Sequence, residues 1–225
     1  MSFDKPPSSA RRSFIGKVAA GTLALATAPI VSASATMLAP PEASPEADAW
    51  IKALKGKHKQ VFDAPGANNG FPLMFAATYL QTMTEHYKLM PGDITAMVVV
   101  RHFGIGIALN DSIWNKYSLG KMFNVNDPVT KAPSQRNIFY KSKAGDMMNI
   151  DASADKLLAK GVVIGVCGLA IKVLSGMAAA DAGMKPDAAL AEWMAGVIPG
   201  VHILPSGVLG VAKAQEAGCT YCFAG

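Results

Sequence analysis

The chain has 225 residues, 21 Lys+Arg against 16 Asp+Glu, a formal net charge of +5 and 51% hydrophobic residues. That composition excludes intrinsic disorder, and 14 Pro and 21 Gly without a period exclude a collagen-like or low-complexity chain. Three Cys are too few for a disulfide-held scaffold, and the length suits one domain with a tail.

The positive charge is concentrated at the start. Arg11 and Arg12 precede Ser13, Phe14, Ile15, Gly16 and Lys17, and a mild apolar run follows from Val18 to Val31. Ala33-Ser34-Ala35 then offers a small-residue cleavage site. The stretch 1–35 resembles a twin-arginine export signal, with the Lys one place later than usual. The run is interrupted by Gly21, Thr22, Thr27 and Pro29, which does not suit a spanning helix. The bland alternative is an uncleaved anchor. Residues 1–35 carry a net +3 (Lys5, Arg11, Arg12 and Lys17 against Asp4), so the remainder is near +2. No basic patch interleaved with aromatics survives, which argues against nucleic-acid binding. The expected address is the periplasm, an oxidising compartment. No stable membrane insertion is expected after cleavage.

Residues 36–49 are rich in Pro, Ala and Glu and read as a linker. The expected boundaries are 1–35 for the signal, 36–56 for linker and short helix, and 57–225 for the folded domain. A short strand is expected from Lys59 to Ala64, closed by Pro65-Gly66. A long helix follows from Phe71 to Leu89. Ile94 to His102 reads as a strand, because Met97-Val98-Val99-Val100 is continuously apolar, as in a strand covered on both faces. Ile107 to Tyr117 reads as a short helix. Residues 118–153 lack periodicity and form a long excursion. Ala154 to Lys160 is expected as a helix, Gly161 to Cys167 as a strand, and Leu169 to Ala180 and Asp187 to Val197 as helices. Val201 to Leu204 is a strand, Ser206 caps a helix running to Ala217, and Cys219 to Phe223 is the last strand. Five strands alternating with helices predict an α/β fold. The expected form is a flavodoxin-like, mostly parallel five-stranded sheet with helices on both faces. Ligands in such sheets sit beyond the carboxyl ends of the strands.

That rule directs attention to Arg101-His102, Cys167-Gly168 and Leu204-Pro205-Ser206. Cys167 is the sharpest candidate. A thiol where a strand passes into a helix meets free backbone N–H groups and the positive end of the dipole, which favour a thiolate. The alternative is a small buried core residue. His102 is a candidate proton donor or metal ligand, and Arg101 a candidate anion ligand. Ser206 and Gly207 begin a helix whose N-terminus suits an anion. Cys219 and Cys222 form a C-x-x-C in an expected strand. There the two side chains face opposite ways, so they are weak metal candidates at most. Gly104-Ile105-Gly106 lacks the third glycine of a dinucleotide fingerprint, and no nucleophile elbow, zinc-protease motif or P-loop is present. The 12 Met fit core filling better than a copper site; only Met147-Met148 is closely paired. No cofactor is expected.

Four segments together carry a family resemblance: Val98 to Gly104, Ala108 to Asp111, Gly161 to Cys167, and Pro199 to Gly207 with Gln215. The closing run Gly218 to Gly225 belongs with them. In order and spacing they resemble the DsrE/DsrF-like family, in its exported branch, over roughly residues 57–225. The resemblance implies a flavodoxin-like sheet and a homo-oligomer, trimer or hexamer. It also implies a persulfide-bearing Cys at the position of Cys167. Two functions remain open, beside a third, a copper or other metal carrier, that rests on Cys219, Cys222 and the Met content. One is sulfur handling through Cys167, with Arg101 and His102 steadying an anion. The other is a non-enzymatic oligomer that binds a small ligand or anion, with Cys167 in the core.

Overall fold

The computed structural model describes residues 48–146 and 151–225. The expected export segment, most of the linker and the Met147-Met148 pair lie outside these residues. The described chain forms five strands: β1 (His58–Ala64), β2 (Ile94–Val100), β3 (Val163–Cys167), β4 (His202–Leu204) and β5 (Thr220–Phe223). All pair in parallel, in the order β4-β3-β2-β1-β5. The helices are α1 (Phe71–Tyr87), α2 (Asp111–Lys116), α3 (Leu119–Met122), α4 (Ala154–Ala159), α5 (Gly168–Asp181), α6 (Pro186–Ala195) and α7 (Gly207–Glu216). The expected three-layer α/β arrangement is therefore present.

The strand order dictates which helix covers which face. From β1 to β4 each strand lies beside its predecessor, always in one direction, so right-handed crossovers send those helices to one face. The step from β4 to β5 runs back past the whole sheet and sends α7 to the other. Side chains follow the period of two. Phe62, Ala64, Val98, Val100, Ile164 and Val166 pack with residues of α1, α5 and α6 such as Leu73, Ile171 and Trp193. Val61, Met97, Val99, Val163 and Leu204 pack with Ala214 of α7. Trp50 and Leu54, in and just after a 3-10 turn at Ala49–Ala53, join that second cluster. Every residue of β2 is buried, as its apolar run requires.

The ends of two expected elements shift. β2 stops at Val100. Arg101 donates one further ladder bond, from its N to Ala64 O at 2.9 Å. His102 then turns into the left-handed region, with φ of 49°, and opens a 3-10 segment to Ala108. The following helix starts only at Asp111, because Asn110 caps it by accepting from Ile113 N.

The excursion after Tyr117 is folded around polar anchors. The Asn137 side-chain amide donates to the carbonyls of Gly106, Ile107 and Leu109 at 3.2, 2.9 and 2.7 Å. Trp114 Nε1 donates to Gly106 O at 2.9 Å. Arg136 pairs with Asp146 through Nη1 at 2.8 Å and Nη2 at 2.5 Å, and its Nη2 lies 3.3 Å from Asp127. These bonds satisfy buried polar groups that would otherwise cost roughly 1–3 kcal/mol each. Among the described residues, no helix is long and apolar enough to cross a membrane.

Candidate functional site

The carboxyl edge of the sheet collects residues far apart in sequence. Parallel register places Val100 beside Val166, so Arg101 and Cys167 are the next residues out on adjacent strands. Cys167 pairs in turn with Leu204, two residues before Ser206. On the other side, Asp63 sits beside Val99 and Phe223, and Tyr221 beside Val61.

Asp63, Arg101 and Tyr221 share the α7 face by alternation, and their side chains meet. Arg101 Nε donates to Asp63 Oδ1 at 2.6 Å and Nη2 to Oδ2 at 2.9 Å. Tyr221 OH donates to Oδ2 at 3.0 Å. The Asp63 side chain is 6% exposed, so the paired guanidinium answers a carboxylate held out of water. The hydrogen bond to Asp63 raises the Arg101 pKa further. Burial, then the bond to Asp63, pushes Tyr221 up as well. Arg101 itself keeps 28% of its side chain exposed, and Nη1 makes no hydrogen bond to another described residue.

Gly207 sets how close α7 comes. A Cβ there would lie 2.5 Å from Arg101 Cβ, so the helix begins directly against the arginine stem. Ser206 caps that helix, its Oγ accepting from Leu209 N at 3.3 Å. The structure thus brings together Arg101, Ser206 and Gly207, three of the residues singled out in the sequence.

Cys167 is the N-cap of α5. Its Sγ accepts from Ala170 N at 3.3 Å, the role a serine oxygen usually fills. The residue is buried at 7% exposure and joins the cluster on the α1–α5 face. A shallow groove of about 470 Å³ opens beside it, lined by Gly168, Lys172, Met194, Ile203, Leu204 and Pro205. A larger cavity of about 630 Å³ lies elsewhere. It is lined by Gln81, Glu85, Ile94 and Lys160, toward the amino ends of β2 and β3, and touches none of these site residues.

His102 is exposed and stacks edge-to-face on Phe103 at 4.3 Å between ring centroids. It makes no hydrogen bond to another described residue. His202, inside β4, is exposed, although partial burial still lowers its pKa. Cys219 is buried on the α7 face, where burial raises its pKa against a lowering by Lys59. Cys222 packs on the opposite face. All three cysteines are free thiols. Among the described residues, no group of three or more His, Cys, Asp or Glu could hold a metal ion.

Sequence reasoning missed Asp63 and Tyr221. The available signal was a lone carboxylate in the apolar run Val61-Phe62-Asp63-Ala64, at the end of a central strand. Chemically, the edge offers a thiol at one helix start, a second helix start at Ser206, and an arginine with an unused donor edge. That combination suits a small anion.

No family model matches the sequence, and no curated protein matches it. A solved structure of a protein of unknown function from Methanobacterium thermoautotrophicum is similar to this chain, with 14% sequence identity and a TM-score of 0.41. The match covers 74% of this chain and 99% of the other.

Proposed function

We propose that this chain is an exported, periplasmic DsrE/DsrF-like protein that carries sulfane sulfur on Cys167. The observation that carries this reading is the Sγ of Cys167 at the start of α5, accepting the Ala170 N–H, at the carboxyl end of β3. Backbone N–H groups and a helix N-terminus favour the anionic forms of sulfur.

The reaction is a sulfur transfer without net oxidation. The Cys167 thiol first gives its proton to solvent. The thiolate then attacks the outer sulfur of a sulfane donor, and a Cys167 S–S bond forms. The donor's own S–S bond breaks, and its electron pair leaves with the remainder of the donor, which is sulfite when the donor is thiosulfate. Cys167 is left as a persulfide anion. Mass spectrometry of protein isolated from the periplasm, alkylated at once, tests the reading. The Cys167 peptide should carry one extra sulfur. A Cys167 that is always unmodified, and that also stays unreactive toward a small sulfane donor, overturns it.

A second reading has its own support. Cys167 is only 7% exposed, and α5 presents Leu169, Val173 and Met177 to solvent on one stripe. In that reading the chain is a non-enzymatic homo-oligomer, a trimer or hexamer, that binds an anion at Arg101, Ser206 and Gly207. Cys167 is then a capping and core residue. The same mass measurement separates the two.

A further inference from the structure

The cleft of about 630 Å³ opens at the amino end of the sheet, between α1 and the turn from α4 into β3. It stands a strand length from the carboxyl edge, about 20 Å along β2 at 3.3 Å per residue. Small residues create it. Ala77 of α1, Ala96 of β2 and Ala152 before α4 line it, and Gly161 adds no side chain. Gly161 has φ of 85°, and nothing lies within 4 Å of where its Cβ would stand. Toward the carboxyl end of the same layer, Leu73, Val98, Val100 and Ile171 fill the space instead. Interiors are close-packed, so a gap of this size, inside the usual range of small-molecule pockets, calls for an occupant.

The lining is graded. Met74, Ala77, Thr78, Gln81, Thr84 and Glu85 recur at helical spacing on one face of α1, apolar first and polar last. Ile94 and Ala96 are buried and make an apolar floor. The rim carries opposite charges on its two walls, Glu85 on α1 and Lys160 after α4. Gln81 Nε2 donates to Glu85 Oε1 at 2.9 Å, which leaves Oε2 open. Lys160 Nζ donates to Asp151 O at 3.2 Å and forms no ion pair with a described residue. The third rim charge, on Asp151, is answered by Lys156 at 3.1 Å.

We infer that this cleft binds a small zwitterion with an apolar side group, of the class of apolar α-amino acids. The side group lies over Ile94 and Ala96, the ammonium meets Glu85, and the carboxylate meets Lys160. A compound with a single charge leaves one rim charge unanswered, and a compound without the side group leaves the floor uncovered. This site is independent of the sulfur-carrying reading and shares no residue with it.

The test is isothermal titration calorimetry on the full-length protein with four matched probes. L-Leucine has both charges and the side group. 3-Methylbutylamine lacks the carboxylate, 4-methylpentanoate lacks the ammonium, and glycine lacks the side group. Leucine should bind once per chain. It should bind about fivefold more tightly than the amine or the acid, the upper scale of an exposed ion pair. Glycine should be weaker by about tenfold or more, the scale of one buried aliphatic side chain. Glu85→Gln should erase the advantage of leucine over the acid and leave its advantage over the amine. Lys160→Gln should do the reverse. Ala77→Leu fills the slot and should abolish binding of all the probes. If Ala77→Leu does not fold, the two rim variants carry the decision alone. No binding of leucine to the folded parent overturns the inference, and so do probes that bind equally within about twofold. Preferences that survive both rim substitutions overturn it as well, because the ligand then sits elsewhere.

Discussion

A Cβ on Gly207 would fall 2.5 Å from Cβ of Arg101, so helix α7 can begin where it does only because its first residue has no side chain. This contact ties the α7 cap to the Asp63–Arg101 pair. Gly207→Ala forces either the helix start or the arginine stem aside. Overpacking of this kind costs about 1–3 kcal/mol. Urea unfolding should show that loss. Unchanged stability in Gly207→Ala would mean that the contact relaxes freely.

Cys167 serves as a cap as well as a thiol, and the two roles separate by substitution. Cys167→Ala removes the acceptor for Ala170 N and should cost about 1 kcal/mol, the usual price of a lost N-cap. Cys167→Ser retains a capping oxygen and should be at least as stable as the parent. Thermal unfolding of both variants checks this. Equal stability of the Ala and Ser variants would show that the Sγ contact contributes nothing.

Tyr117 links α2 to α6 by donating to Glu192 Oε2 at 2.8 Å, on a carboxylate that Lys116 Nζ also approaches to 2.7 Å. Burial first, then the bond to Glu192, pushes the Tyr117 pKa up to about 12. The folded value lies above the unfolded value of about 10. Its contribution is therefore whole below pH 10 and is lost as pH rises toward 12. Tyr117→Phe lacks this titration. The stability gap between parent and Tyr117→Phe should shrink between about pH 10 and pH 12 in urea unfolding. A gap constant across that window contradicts the assignment.

Leu169, Val173 and Met177 are 56, 53 and 62% exposed at a spacing of four along α5, and Ile203 of the edge strand β4 is also exposed. Such a stripe suits the proposed homo-oligomer. Val173→Asp places a charge in its centre and should weaken self-association by tenfold or more, about 1.4 kcal/mol. Light scattering after size exclusion should show a smaller species. A parent that is monomeric, or a variant of unchanged mass, contradicts that role for the stripe.

Much of the architecture was legible because it rests on local pattern. The unbroken run Met97 to Val100 declares a central strand, and Ser206 before an amphipathic stretch declares a helix start. Cys167 at a strand end is likewise a local feature. What was not legible depends on pairs distant in the chain. Asp63 and Tyr221 are 158 positions apart, and neither neighbourhood announces the other. The excursion showed no periodicity because its order comes from Asn137 and Arg136 reaching other segments. The turn of His102 into left-handed backbone has no sequence signature either, since glycine is the usual marker of such a turn and here it comes two residues later.

The most direct measurement is a sulfur-transfer assay on the native full-length protein. Thiosulfate labelled with heavy sulfur at its outer position is added, and all three cysteines are read by site-resolved mass spectrometry after rapid alkylation. The account predicts one labelled sulfur on Cys167, none on Cys219 or Cys222, and one sulfite released for each sulfur transferred. A Cys167 that acquires no label, while the protein stays folded, contradicts it.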